Sequence, residues 1–334
     1  MPAHAGLLGV DFALDAASGR YRFATIYPGD NTRDDYRSPL AQPGLDVKAG
    51  DYLLAIDGAE LQAPTDPDRL LQLADAETTV DLTVAATPGG PRRHVVVRPV
   101  AQELSLREAA WIAHNRAVVD KLSGGRVGYV YMSDMEQLGL QQFVRQFYAQ
   151  LGKQAMIVDD RWNNGGFIAP FALDRLRRVL VQLSVNRESA VSTEPESVLA
   201  GPKVVLANHW SASDGDIFPL LFKLYGLGPM VGTRTWGGVR GIRGYWPMMD
   251  GGYITVPEDG MYGPDSRWTV ENHGVDPDVE VENLPADLLA GHDRQLETAV
   301  DLMLKAIAGK PAGLPAPPAW LPPYPESGIV KPKP

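Results

Sequence analysis

Cysteine is absent from the 334 residues. That excludes disulfides, a thiol nucleophile and thiolate metal sites, and it fits a reducing compartment. No stretch approaches the roughly 18 consecutive apolar residues of a membrane span, so no membrane partner is expected. Basic runs are missing too. Lys and Arg number 31 against 41 Asp and Glu, a formal net charge of −10. Nucleic acid and anionic membrane surfaces are therefore not expected partners. The opening MPAHAGLLGVDF lacks a charged stretch followed by a long apolar core, so no secretory signal is expected and the location reads as cytoplasmic. No HExxH or similar spacing points to a metal, and no GKS or GKT follows a glycine loop to hold phosphate. No cofactor is expected.

What is present divides into two regimes. Residues 6 to about 100 carry short β-branched runs between Gly, Pro and Asp. GLLGVDFAL, RYRFATIY, DYLLAIDG, TTVDLTVAA and RHVVVRP predict five strands, with one helix from Asp66 to Leu73 whose Leu70, Leu71 and Leu73 face inward. Residues 101–124 turn helical and polar, as a connection. From Gly125 onward, strand and helix patterns alternate. RVGYVYM, QAMIVDDRW, PKVVLAN, PMVGTRT and YITVP read as strands. MEQLGLQQFVRQFYAQL, IAPFALDRLRRVLVQL, DIFPLLFKLYGL and Arg294–Ala308 read as helices. That order implies an α/β domain over 125–310 with a mainly parallel sheet. The tail, 311–334, is Pro-rich and cannot form a helix or a central strand. Trp320 and Tyr324 in it favour docking on a neighbour, with a loose tail the equal alternative.

Four segments carry chemistry. In the first domain Gly6-Leu7-Leu8-Gly9 is a glycine-framed apolar turn entering a strand, and PGLDVKAGDYLLAIDG sets turn residues around another. Such a unit can bind a peptide by strand addition, with backbone N–H groups on its terminal carboxylate. Taken singly, either feature is an ordinary turn. In HWSASDGD, Ser213 stands where a strand turns into a helix, at the positive end of the helix dipole. The alternative is a plain helix cap, with Asp216 three residues on. In VDDRWNNGGF, the glycines let a backbone N–H approach a substrate closely. Gly166 N–H and Asp214 N–H then suit the two halves of an oxyanion hole. In WTVENHGVDPDVEVEN, Glu271 and His273 lie in or beside a predicted short strand, on one face. Glu271 there can orient a His or bind substrate, or simply be solvated.

The first domain resembles a PDZ domain, and the whole order of motifs resembles the tricorn protease family, relatives of the carboxyl-terminal processing peptidases. LLGVDF, GDYLLAIDG, KLSGGRVGYVYMSDM, DDRWNNGGF, SASDGD, GTRTWGGVRGI and ENHGVDPDVEVEN carry the likeness over about residues 5–310. It implies a mixed α+β and α/β fold: a small β-rich PDZ-like domain over 5–100, then a ClpP/crotonase-like α/β catalytic domain. It implies a serine peptidase acting on short peptides of the kind released by the proteasome. Ser213 matches the nucleophile, Gly166 and Asp214 the oxyanion-hole positions, and Glu271 the carboxylate that completes a tetrad. Gly6, Leu7, Leu8 and Gly9 match the carboxylate-binding turn. It further implies a homo-oligomer, a hexamer in the family, and an acid selecting basic side chains that the divergent stretch Leu180–Val204 does not reveal.

A Ser nucleophile needs a base. In the family a further Ser and the general-base His precede the PDZ domain, with β-propellers before them. This sequence opens on the PDZ-like region, so the expected base lies outside it. The chain is then part of a larger enzyme or a short homologue that takes its His elsewhere. Of the six histidines, His273 and His209 are weak candidates, as is Lys223, ten residues beyond Ser213 or nearly three helical turns. A catalytically incomplete peptide-binding protein is the alternative. An acyl-CoA enzyme of crotonase type would use a similar oxyanion hole, but the PDZ-like region and SASDGD argue for peptides.

Overall fold

The computed structural model describes residues 6–31, 33–72, 78–186, 190–311 and 313–319. The chain forms two compact units, divided between His114 and Asn115. Helix α2, introduced below, runs through the division.

The first unit is an antiparallel sheet with one short helix. Its elements are β1 (Val10–Asp15), β2 (Arg20–Ile26), β3 (Tyr52–Ile56), β4 (Ala59–Glu60), α1 (Pro67–Leu71), β5 (Val80–Ala85) and β6 (Arg93–Val97). The order is β1-β2-β3-β5-β6, with β4 paired to β3. All five expected strands are present. The strand period of two is plain in β6, where Val95 and Val97 are buried and Val96 is exposed. These valines join Leu8, Phe23, Leu53, Ile56 and Leu82 in one core. The expected helix is present as α1, capped by the Asp66 carboxylate on Asp68 N–H at 2.9 Å, with Pro67 at its first position. Leu71 is buried and Leu70 partly so. Leu73 lies outside the described residues, as do Trp320 and Tyr324.

Helix α2 (Leu104–Ser123) follows. The second unit contains β7 (Val127–Tyr131), α3 (Gln137–Tyr148), β8 (Ala155–Asp159), α4 (Ala169–Leu176), β9 (Gln182–Ser184), β10 (Ser192–Glu194), β11 (Lys203–Ala207), α5 (Asp214–Leu224), β12 (Met230–Gly232), β13 (Ile242–Pro247), β14 (Tyr253–Pro257), β15 (Val279–Glu280), α6 (Pro285–Leu289) and α7 (Arg294–Ala306). Its sheet runs β15-β12-β11-β8-β7, and every pairing is parallel. β7, β8 and β11 are buried at every residue, as a sheet covered on both faces requires.

Two expectations are corrected. The helix read over 168–183 stops at Leu176, and Gln182–Ser184 pairs antiparallel with β10. Val179 and Val181 are exposed rather than facing a core. Their i, i+2 spacing fits the strand period, and β-branched residues favour it too. YITVP is a strand but stands outside the parallel sheet, in a ribbon with β13 that the sequence reading missed. Among the described residues no helix is long and apolar enough to cross a membrane.

Candidate active site

Because β8, β11 and β12 are parallel, the loops after them emerge at one edge of the sheet. Such an edge is where α/β folds build sites. The three loops are 160–168, 208–213 and 233–241, and they are laced together. Ala212 N–H donates to Asn163 O at 2.9 Å, and Trp236 N–H to Ser211 O at 3.0 Å. Ser211 Oγ donates to Asp160 O at 2.8 Å. Asn163 is fully buried. Its side chain donates to Met132 O and accepts from Gly165 N–H.

Ser213 stands at the start of α5 with φ 57° and ψ −118°, a backbone state that costs a residue other than glycine about 1–3 kcal/mol. Its side chain makes no capping hydrogen bond. Ser213 Oγ is therefore not spent on a cap, although the Asp216 carboxylate is also drawn to Ser213 N–H. Asp216 accepts from Gly237 N–H at 2.8 Å. Ser213 N–H donates to Gly238 O at 3.0 Å. Gly165 lies against the serine: a Cβ on it would fall 2.6 Å from Ser213 Cβ.

Gly166 has φ +142°, and a Cβ there would fall 2.1 Å from Met135 O. Phe167 and Ile168 N–H both donate to that same carbonyl, which fixes the turn. Asp214 opens α5, so its N–H lies in the unpaired first turn. Among the described residues neither Gly166 N–H nor Asp214 N–H has a protein acceptor. The Asp214 carboxylate turns away and accepts from Ala169 N–H, at the start of α4, at 3.0 Å. Burial pushes its carboxyl up to about 6.

Glu271 is not in a strand. It sits in a turn flanked by Val270 and Asn272, both at positive φ. Its Oε2 accepts from Val239 and Arg240 N–H at 3.1 and 2.9 Å. Those residues adjoin Gly238, the acceptor of Ser213 N–H, so Glu271 reaches the serine through the 236–240 loop. The expected pairing of Glu271 with His273 on one strand face is thereby corrected. His273 Nε2 pairs with Asp276 at 2.8 Å, and Arg234 holds its carbonyl. His209 is exposed, with its ring 4.9 Å from that of Trp210. Lys223 Nζ is bound by Asp276 O at 2.7 Å and Asp278 at 3.1 Å, near the far end of α5. Among the described contacts none of the three touches Ser213.

In the first unit the Gly6–Gly9 turn is less open than its sequence implies. Gly6 N–H donates to Leu71 O, and Leu7 exchanges both backbone bonds with Val100. Leu8 and Gly9 N–H remain without an acceptor among the described residues. Gly9, at φ +68°, packs under Leu106: a Cβ on it would fall 2.9 Å from that side chain. Among the described residues the edge of β1 beside this turn has no strand partner.

Sequence reasoning missed Asn163, Ser211 and the 236–240 loop as parts of the site. The doubled glycine in TWGGV was the available signal, a counterpart of NNGG. Among the described residues no group of three His, Cys, Asp or Glu is arranged to hold a metal.

Residues 126–281 match the model of peptidase family S41, and residues 6–102 match that of the tricorn protease PDZ domain. The chain is 41% identical over 313 residues to tricorn protease homolog 1 of Streptomyces coelicolor, covering 94% of this chain and 29% of that protein. It is 34% identical over 307 residues to the tricorn protease of Thermoplasma acidophilum, covering 92% and 28%. A putative tricorn-like protease C-terminal subunit of Sulfurisphaera tokodaii is 36% identical over 309 residues, covering 92% and 35%. A crystal structure of the tricorn protease superposes with a TM-score of 0.85 at 34% identity, covering 91% of this chain and 29% of that one. The chain thus spans about three tenths of the length of the Streptomyces and Thermoplasma relatives. It belongs to the tricorn protease family, with a tricorn-type PDZ region followed by an S41 peptidase region.

Proposed function

We propose that this chain is the nucleophile-bearing part of a tricorn-type serine peptidase. The observation that carries this is Ser213: strained, with no side-chain cap, and beside two N–H groups that have no protein acceptor among the described residues. Ser213 Oγ attacks the carbonyl carbon of a peptide. The tetrahedral oxyanion is held by Gly166 and Asp214 N–H, with the α5 dipole behind it. Collapse releases the amine and leaves an acyl-enzyme, which water hydrolyses. Glu271 holds Val239 and Arg240 and so fixes Gly238 under Ser213. The base that removes the Oγ proton, and later protonates the leaving amine, is none of His209, His273 and Lys223.

Short peptides are the proposed substrates, with the region over 5–100 as the peptide clamp and the edge of β1 as the place for an added strand. The chain also self-associates, through the β13–β14 ribbon. Every β14 residue is exposed, along with Ile242 and Trp246 on β13. Two strands with apolar side chains open to water are not stable alone.

A fluorophosphonate probe tests the nucleophile. Ser213 is expected to be labelled slowly in the isolated chain and faster with added imidazole as a free base, and Ser213→Ala to be unlabelled. The second reading, an inert peptide-binding chain, is favoured by the lack of a described base beside Ser213. It predicts no labelling with or without imidazole.

A further inference from the structure

Asp160 is fully buried just beyond β8, beneath the nucleophile loop. Its backbone is fully used. The N–H donates to Leu206 O at 2.8 Å, and the carbonyl accepts from Ser211 Oγ at 2.8 Å. Its side chain is not. Neither carboxyl oxygen has a hydrogen-bond partner. Among the described residues only one other buried side-chain atom shares that condition, Asp216 Oδ2.

The charged groups around Asp160 are mostly acids. On its own strand end, Asp159 is matched by Arg161, which binds both its oxygens, and by the Tyr129 hydroxyl. Arg161 is turned to Asp159 and Asp293. From α5 come Asp214, bound by Ala169 N–H, and Asp216, bound by Gly237 N–H. The charges of Asp159, Asp214 and Asp216, together with burial as the largest cause, push the Asp160 carboxyl far up. The hydrogen bonds alone give the same order. Each neighbouring acid accepts at least one short hydrogen bond and can carry charge; at Asp160 only the Asn163 side chain opposes the upward push, and it is the weakest of the influences. An ionised carboxylate buried without a donor costs several kcal/mol, so such a group keeps its proton instead.

We propose that Asp160 is held as a neutral carboxylic acid, that Asp160 and Asp216 hold one proton between them, and that this proton positions Ser213. The pair is macroscopic: the proton belongs to both acids as a unit. Asp160 anchors the 208–213 loop through Ser211. Asp216 anchors the 236–240 loop through Gly237, and Gly238 receives Ser213 N–H. Losing the proton leaves two buried like charges beneath the serine, one at the end of β8 and one in the first turn of α5. Their repulsion parts these two elements, between which Ser213 is set against Gly165. Asp160 is thus a positioning residue. Only its consequence for catalysis rests on Ser213 being the nucleophile.

The test uses the full chain and the variants Asp160→Asn and Asp160→Leu. The infrared spectrum in D2O at pH 8 is expected to contain an un-ionised carboxyl band that Asp160→Asn removes. Thermal unfolding is read from pH 7 to 9. A carboxyl whose folded pKa is raised gives stability below its unfolded pKa that is lost as pH rises toward the folded value. The folding constant of the wild type should therefore fall as pH rises over this range. Asp160→Asn keeps the shape and a donor but cannot titrate, so its profile should be flat. Fluorophosphonate labelling at pH 7 should stay within about threefold in Asp160→Asn and fall about tenfold or more in Asp160→Leu, which offers no donor to Asp216. Absence of the carboxyl band, or equal pH slopes in the wild type and Asp160→Asn, overturns the proposal. So does equal labelling of a folded Asp160→Leu and the wild type. If Ser213 is not labelled at all, the peptidase reading fails, while the infrared and thermal results still decide the protonation of Asp160.

Discussion

Ser213 owes its position to its neighbours more than to itself. Gly165 leaves it room, and Gly166 follows at φ +142°, tight against Met135 O. Gly165→Ala is expected to force the serine aside, and Gly166→Ala to move one oxyanion donor. Each should lower the rate of Ser213 acylation about a hundredfold or more, read by probe labelling, with the circular dichroism spectrum unchanged. Asp214 supplies a pH dependence at the same scale. Its carboxyl is raised to about 6 by burial. Its contribution to stability is complete below the unfolded value near 3.8 and is lost as pH rises through 6. The thermal midpoint of the wild type is expected to fall between pH 5 and 7, and Asp214→Asn to make that fall shallower. Ser213, Gly166 and Asp214 were legible as candidates in the sequence because each lies beside a glycine or an acid at an element boundary, and Glu271 through the family resemblance. Asp160 was not, because Asp159 and Asp160 read alike at the end of an apolar run. Only the fold shows that one meets an arginine and the other meets no donor.

At the scale of elements, the parallel strands were legible as short runs of buried β-branched residues. The helix over 168–183 was overextended because Val179, Leu180, Val181 and Leu183 satisfy two periods at once. Strand β13 was missed because Gly244 and Pro247 interrupt Ile242–Pro247. Helix α7 was read correctly, but its anchor was invisible. Asp293 caps α7 by accepting Leu296 N–H at 3.0 Å, and it also pairs with the buried Arg161 at 2.8 Å. Arg161 is bound on its other side by Asp159, which accepts from Tyr129, itself bound by Asn115. One side chain thus ties the last helix to the end of β8, where the 160–168 loop begins. Asp293→Ala removes the cap and one partner of a buried guanidinium. A loss of about 3 kcal/mol is expected in urea unfolding. A cost under about 1 kcal/mol would mean that the pair contributes little beyond the cap.

At the scale of the molecule, the chain carries a net charge of −10, so copies of it repel over most of their surface. Residues 242–257 are the exception, with one Arg and one Asp among apolar side chains. The double variant Trp246→Ser, Ile254→Ser is expected to lower the mass measured by light scattering to that of one chain. An unchanged mass would place the self-association elsewhere, and a monomeric wild type would exclude it. The absence of cysteine makes a second check clean, since Thr255→Cys introduces the only thiol. A change of regime near residue 100 was legible from composition. The base was not, because the three side chains that sequence spacing offered are bound to Asp276, to Asp278 or against Trp210. The central claim is that Ser213, Gly166 and Asp214 form one acyl-transfer site, and a peptide boronate tests it most directly. A crystal structure of the adduct is predicted to show a Ser213 Oγ–boron bond, with a boronate oxygen accepting from Gly166 and Asp214 N–H. A boronate bound to another residue, or a Ser213 adduct whose oxygens meet neither N–H, would contradict the account.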